Sequence, residues 1–279
     1  WLYPDTSIPP GQQLPAQKLS SDLSWSDLYL NEETWDELQA LKRWMSHGDQ
    51  LMKNPGMARH LSPGIRVLFY GPSGTGKTLA ATLLGKEFEH PVYRIDLSQM
   101  VSKWVGETEK NLSRVFDIAE NKKWILFFDE ADALFSRRGK VNNANDRRSN
   151  QEIAYLLQRT ENYPGTILMA SNLRDNMDEA FTRRFQQIIH FDKPDASVRE
   201  ALWRNLLKDT FPMHAQVDLA EIAASYEVTG GQMKNAFRSI MLLVYDRPES
   251  QRVITWEDLH QAIQSVLRQS DELSIARRY

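Results

Sequence analysis

The chain of 279 residues contains no cysteine, which excludes disulfides, zinc–thiolate sites and thiol catalysis together. It has no apolar run approaching the length of a membrane span, and no signal-peptide pattern opens it. Neither sign of charge dominates: 34 Lys and Arg stand against 37 Asp and Glu, a formal net charge of −3. That balance argues against a surface built mainly to hold nucleic acid. The six histidines show no metal-ligand spacing, and His190, within a strand-like run, reads as structural. A reducing cytoplasm is the default expectation. Because the first residue is Trp1 rather than Met, the chain is expected to be a fragment or a processed product. What is present, 41% AVILMFWYC and 25% charged residues, is the composition of a globular protein with room for one large domain and a small one.

One stretch organises the rest. Gly71-Pro72-Ser73-Gly74-Thr75-Gly76-Lys77-Thr78 matches G-x-x-x-x-G-K-[ST]. In this loop, backbone N–H groups wrap a phosphate chain, the lysine reaches the β- and γ-phosphates, and the hydroxyl binds Mg²⁺. Side chains in place of the glycines would block the close backbone approach. The loop follows the apolar run Val67–Tyr70 and precedes helical spacing at Leu79, Thr82, Leu83 and Phe88. It therefore sits at a strand-to-helix turn, where a helix N-terminus favours an anion. A plain Gly-rich turn is the bland alternative.

The stretch before this core divides in two. Residues 1–22 hold Pro4, Pro9, Pro10 and Pro15 and read as a linker or a surface strap. Leu28, Trp35, Leu38, Leu41 and Trp44 then follow near-helical spacing, with Asn31 as the candidate N-cap. From Ile65 to Phe191 strand-like and helix-like runs alternate: strands Val67–Tyr70, Val92–Ile95, Ile125–Phe128, Thr166–Ser171 and Ile188–Phe191, and helices Lys77–Phe88, Glu107–Glu120 and Ser149–Thr160. Such alternation implies an α/β fold with a parallel sheet, helices on both faces and ligands at the carboxyl ends of the strands. After Phe191 the pattern turns helical. Asp195 is placed to cap a helix to Lys208, and Asp218/Glu221, Thr229/Gln232 and Thr255/Asp258 have capping-box spacing.

Further candidates lie at the strand ends. Ile125–Phe128 delivers Asp129 and Glu130 at its tip, Asp129 for the metal shell and Glu130 to orient and deprotonate a water. Taken alone, the pair could simply cap a turn. Asn172, at the tip of the run ending in Ser171, is placed to contact the γ-phosphate and the attacking water, although Asn is also a common turn residue. Arg183 and Arg184 precede the last strand. Guanidinium groups there can stabilise charge on a transferring phosphoryl group from a neighbouring subunit, or form a solvated basic turn.

The order Gly71–Thr78, Phe127–Glu130, Asn172, Arg183/Arg184 resembles the AAA+ ATPases over about residues 22–270. Ser102-Lys103-Trp104-Val105-Gly106-Glu107-Thr108-Glu109-Lys110 is similar to the pore loop of the AAA clade, which includes spastin and katanin. The resemblance implies a parallel-sheet P-loop NTPase large domain over 23–193, with a small all-α lid over 194–279. It implies ATP and Mg²⁺ as ligands, self-assembly into a homo-oligomeric ring, a hexamer in that family, and a protein substrate. It also gives Trp104, flanked by Lys103 and Val105, the role of gripping an unfolded chain, since a flat ring contacts any segment without reading its sequence. A core position for Trp104 is the alternative, against which its polar neighbours speak.

The sequence departs from the pattern in places. Thr182-Arg183-Arg184-Phe185 lacks the Pro-Gly pair often found before the last strand, leaving open which arginine acts in trans, with Arg184 the first choice. Leu157-Gln158-Arg159-Thr160-Glu161 replaces a segment that usually ends in Asp-Gly-Phe. Both features resemble a bacterial branch found with contractile injection systems. The loop from Arg137 to Arg148 falls where the family has a second pore loop, but reads equally as a solvated charged loop, and Arg147 and Arg148 could face a neighbouring subunit. Gly230-Gly231-Gln232-Met233-Lys234 falls at the family's second sensor, with Lys234 read mainly as a helix-surface residue. Asn121-Lys122-Lys123-Trp124 has Trp where a guanine motif needs Asp, so ATP is favoured over GTP. Two further readings remain: an ATP-gated scaffold or loader, and a DNA-acting AAA+ protein, which the acidic balance disfavours.

Overall fold

A computed structural model describes residues 16–97, 108–132, 154–172 and 179–276. The chain forms two compact units. The first takes in residues up to Trp25, Glu33–Gly71 and Lys77–His190. The second takes in Ser26–Glu32, Pro72–Gly76 and everything from Phe191 onward. Two short segments expected with the large domain are thus grouped with the C-terminal one.

The first unit is built on a six-stranded sheet in the order β1-β3-β4-β5-β2-β6. Its strands are β1 (Gln17–Leu19), β2 (Ile65–Tyr70), β3 (Val92–Asp96), β4 (Ile125–Asp129), β5 (Thr166–Ser171) and β6 (Gln187–His190). β2 to β6 are parallel, so the chain ends that carry Tyr70, Asp96, Asp129, Ser171 and His190 emerge on one side. The register places Tyr70 beside Ser171 and His190, and Asp96 beside Asp129. β4 is apolar and buried from Ile125 to Phe128, because a parallel strand covered on both faces has no polar side.

β1 was not legible in the sequence. Gln17-Lys18-Leu19 pairs antiparallel with β3 inside the stretch read as a linker or strap, and its Gln17 and Lys18 are exposed, as befits a short edge strand. The other strands lie where the apolar runs put them, with ends shifted by a residue or two. The last is Gln187–His190 rather than Ile188–Phe191.

The helix Lys77–Glu87 buries Lys77, Ala80, Ala81, Thr82, Leu83, Leu84 and Gly85. A Cβ on Gly85 would stand 2.2 Å from Val92 Cγ2, so the glycine permits the close approach of helix and β3. The helix Thr108–Lys122 contributes Leu112, Val115, Phe116 and Ala119 to the core, where they join Tyr93, Trp124, Phe128 and Tyr163. The Tyr93 and Trp124 rings stack with centroids 3.7 Å apart. The Tyr163 hydroxyl donates to the Trp124 carbonyl at 2.6 Å, and burial pushes its pKa well up. The long helix Glu32–Met52 starts directly after Asn31 and buries Thr34, Leu38 and Leu41. It is tied to β6, where Thr34 Oγ1 donates to His190 O at 2.6 Å and His190 N donates to Glu37 Oε2 at 3.2 Å. Burial pushes the Glu37 carboxyl pKa up.

The second unit contains the helices Ala196–Leu207, Leu219–Ser225, Gly230–Tyr245 and Trp256–Ala276. Its core gathers Trp203, Ile222, Met233, Ile240, Val244, Ile254, Leu259 and Ile263. The capping residues act as their spacing implies. Asp195 accepts from Val198 N and Asp218 from Ala220 N, both at 2.8 Å, while Thr229 and Gln232 form a complete capping box. No helix of the described residues is long and apolar enough to cross a membrane.

Candidate functional site

The loop Gly71–Thr78 leaves the end of β2 and enters the helix Lys77–Glu87. Its backbone takes the shape that its glycines permit, with φ of 142° at Gly71, 79° at Gly74 and 107° at Gly76, a region L side chains rarely adopt. Within the second unit, a Cβ on Gly76 would come 2.6 Å from Leu28 Cδ1, and one on Gly74 would come 2.7 Å from Thr229 Oγ1. The turn is closed by Thr75 Oγ1 donating to Pro72 O at 2.9 Å. Thr75 is buried, whereas Ser73, Gly74 and Thr78 are exposed.

Lys77 is the centre of the charged group in the first unit. Its side chain is buried, and Nζ donates to Gly71 O at 2.6 Å and to Asn172 Oδ1 at 3.0 Å. Loss of solvent lowers the ammonium pKa to about 8, and the nearby carboxylates of Asp129 and Asp132 oppose that fall. The strand tips therefore bring Lys77, Asn172 and Asp129 together, as the motif order implies.

Asp129 ends β4, and its two oxygens have different neighbours. Oδ1 accepts from Glu130 N at 3.0 Å, and Oδ2 stands 2.8 Å from Arg94 Nε. Glu130 is exposed and has φ +55°, a left-handed conformation for a residue other than glycine. Such a backbone costs on the order of 1–3 kcal/mol and persists only where neighbours over-determine it. Here the Glu130 N–H bond to Asp129 and the Ala131 N–H bond to Ala170 O at 2.9 Å hold the turn.

Asp132 was missed in the sequence. Its carboxylate accepts from Ser171 Oγ and, at 3.0 Å, from Asn172 N, so it fixes the tip that carries Asn172. The spacing Asp129-Glu130-Ala131-Asp132 contains the signal, a third carboxylate just beyond the pair. Arg94 was also missed, being one charge inside an apolar strand run.

The arginines lie elsewhere in the first unit. Arg184 Nη1 is paired with the Glu161 carboxylate, and Arg183 is exposed. Glu161 is itself anchored, its carbonyl accepting from Arg66 Nη1 at 2.7 Å. Lys103, Trp104 and Val105, and the loop from Arg137 to Arg148, lie outside the described residues.

The donor set fits a Mg-nucleotide. A buried ammonium beside a glycine-shaped loop suits a phosphate chain, and the exposed Thr78 hydroxyl with the Asp129 carboxylate offers the hard oxygen ligands that Mg²⁺ takes.

Comparison with known proteins agrees with this geometry. The model of the family described as "ATPase family associated with various cellular activities (AAA)" matches residues 67–193. Cell division protein C of Sulfolobus acidocaldarius is 30% identical over 212 residues, covering 71% of this chain and 56% of that protein. Fidgetin-like protein 1 of Caenorhabditis elegans is 31% identical over 189 residues, covering 64% of this chain and 32% of that protein. An uncharacterized AAA family ATPase of Sinorhizobium fredii, y4kL, is 35% identical over 133 residues, 48% of this chain and 40% of that protein. The chain thus spans about half or less of the length of these relatives. The crystal structure of the FIGL-1 AAA domain in complex with ADP shares the fold, with a TM-score of 0.72 at 24% identity over 90% of this chain and 86% of that one. With the phosphate loop and the strand-tip carboxylates inside the stretch that the family model matches, residues 67–193 carry an ATPase domain of the AAA family.

Proposed function

We propose that the chain hydrolyses Mg-ATP at the strand tips and works as a ring, a hexamer by family resemblance, that remodels or threads protein substrates. The observation that carries the nucleotide part is the buried Lys77 ammonium, held between Gly71 O and Asn172 Oδ1 beside two carboxylates. A cation so far removed from water is costly without an anionic ligand to meet it.

In this reading the backbone N–H groups of Gly74–Lys77 face the phosphates, and Lys77 gives up Gly71 O to neutralise the terminal ones. Thr78 and Asp129 would hold Mg²⁺, whose chemistry there is to neutralise charge on the β- and γ-phosphoryl oxygens. Glu130, exposed at the end of β4, accepts the proton of the attacking water. Asn172, fixed through Asp132, orients that water.

Ring formation is supported by the arginines. Arg184, or the exposed Arg183, reaches a neighbour's phosphate, and for Arg184 this requires leaving Glu161. Trp104 with Lys103 and Val105 would line the pore. The resemblance of Ser102–Lys110 to the AAA-clade pore loop is what supports a protein substrate.

The test is ATP hydrolysis against protein concentration, with particle mass read in the same samples, for wild type and Arg184→Ala. Specific activity that rises with assembly and collapses in the variant, while nucleotide still binds, is the expected result. Activity independent of concentration and of Arg184 would point to a self-sufficient site and overturn the ring. The second reading, an ATP-gated scaffold, would gain if Trp104→Ala left every substrate-processing assay unchanged.

A further inference from the structure

Arg94 reaches Asp129 from the neighbouring strand. In the parallel register of β3 and β4, Arg94 stands beside Phe127 and Asp96 beside Asp129, so the guanidinium leans two residues along the strand to meet the carboxylate. Its Nε lies 2.8 Å from Oδ2. Yet that Nε–H is buried and, among the described residues, has no partner in hydrogen-bond geometry. The contact is an ion pair with a misaligned donor, unlike the two-pronged grip by which a guanidinium usually fixes a carboxylate. It supplies opposite charge without setting direction.

Among the described residues, the other charges near Asp129 have partners of their own. Lys77 is bonded to Gly71 O and Asn172, and Asp132 accepts from Ser171 and Asn172. Asp129 Oδ1 is occupied by Glu130 N, which leaves Oδ2 to Arg94. Oδ2, the oxygen not bonded to Glu130 N, is therefore the one neutralised by this misaligned cation.

We propose that Arg94 competes with Mg²⁺ for Asp129: its guanidinium neutralises the carboxylate, opposes the arrival of a divalent ion by like charge, and so sets the Mg²⁺ concentration needed to hold nucleotide. This rests on the Mg-nucleotide reading of the site. Arg94 acts through Asp129 and is a positioning residue. A positive charge held beside a ligand carboxylate lowers its affinity for a divalent ion, and removing that charge relieves the competition.

The experiment is a Mg²⁺ titration of a fluorescent N-methylanthraniloyl-ADP complex, starting in EDTA, for wild type, Arg94→Gln and Arg94→Lys. The readout is the Mg²⁺ midpoint for tightening, with thermal unfolding followed in parallel. In Arg94→Gln the midpoint is expected to fall about fivefold or more, with Mg²⁺-free affinity little changed. Arg94→Lys, which keeps the charge, is expected to stay within about twofold of wild type. An unchanged or raised midpoint in Arg94→Gln overturns the inference, as does an equal shift in both variants, because charge would then not be the cause. Should Arg94→Gln fail to fold, Arg94→Met is read by the same two outcomes. A wild type whose binding shows no Mg²⁺-dependent tightening would instead overturn the Mg-nucleotide reading, and this inference with it.

Discussion

At the helix starts of the C-terminal unit, polar side chains meet their partners in ordinary capping geometry. Thr229 exchanges hydrogen bonds with Gln232, and Asp258 accepts from Thr255 N and Oγ1 while its carboxylate pairs with Arg247. At the strand tips of the sheet unit the situation is reversed. Lys77 is desolvated, Glu130 has a left-handed backbone, and Arg94 Nε touches a carboxylate without a proper hydrogen bond. Polar groups in the first place satisfy the fold. Those in the second are held in costly states that a ligand can relieve. Stability and function should therefore respond to different substitutions.

The sharpest separation is expected at Lys77. Lys77→Met should lower nucleotide affinity by about 100-fold or more while leaving thermal stability unchanged or raised, because it removes a buried charge. Titration calorimetry beside a melting curve checks this, and a variant that loses binding only because it unfolds would break the comparison. In the helical core the pattern should invert. Trp203 is fully buried, so Trp203→Ala should cost about 3–5 kcal/mol, read by denaturant unfolding of that unit. Trp203→Phe should cost less, because it also removes an indole N–H that has no partner among the described residues.

A smaller effect appears in pH. The Lys77 pKa falls from 10.5 to about 8 on folding, so above pH 8 the folded chain loses a proton that the unfolded chain keeps. The unfolded state then binds more protons, and stability rises with pH between about 8 and 10.5. The gain is of order 1–3 kcal/mol and should be absent in Lys77→Met. Chemical unfolding of both proteins across that window measures it. Smallest is the cap: Thr229→Ala should cost about 1 kcal/mol of unfolding free energy, with little effect on hydrolysis beyond that loss.

The contrast also explains what could be read in advance. The placement of the phosphate loop, Asp129, Glu130 and Asn172 at strand ends was legible because each ends an apolar run and the runs follow one another in chain order. Asp195, Asp218 and Thr229 were legible because capping depends on spacing within a few residues. Asp132 and Arg94 were not, since their roles depend on which strand tips become neighbours. The sheet order sets that, and local patterning does not. β1 escaped for a related reason. Gln17-Lys18-Leu19 has no apolar alternation of its own and becomes a strand only by pairing with the open edge of β3. The pairing of Arg184 with Glu161 was equally hidden, since 23 residues separate them.

The most direct measurement is phosphate release from Mg-ATP by wild type and Glu130→Gln, with nucleotide binding recorded on the same preparations. The account predicts turnover in the wild type, and a variant that binds as well but hydrolyses about 100-fold or more slowly. Equal rates in the two proteins would contradict it, and would move the water-activating group away from the tip of β4.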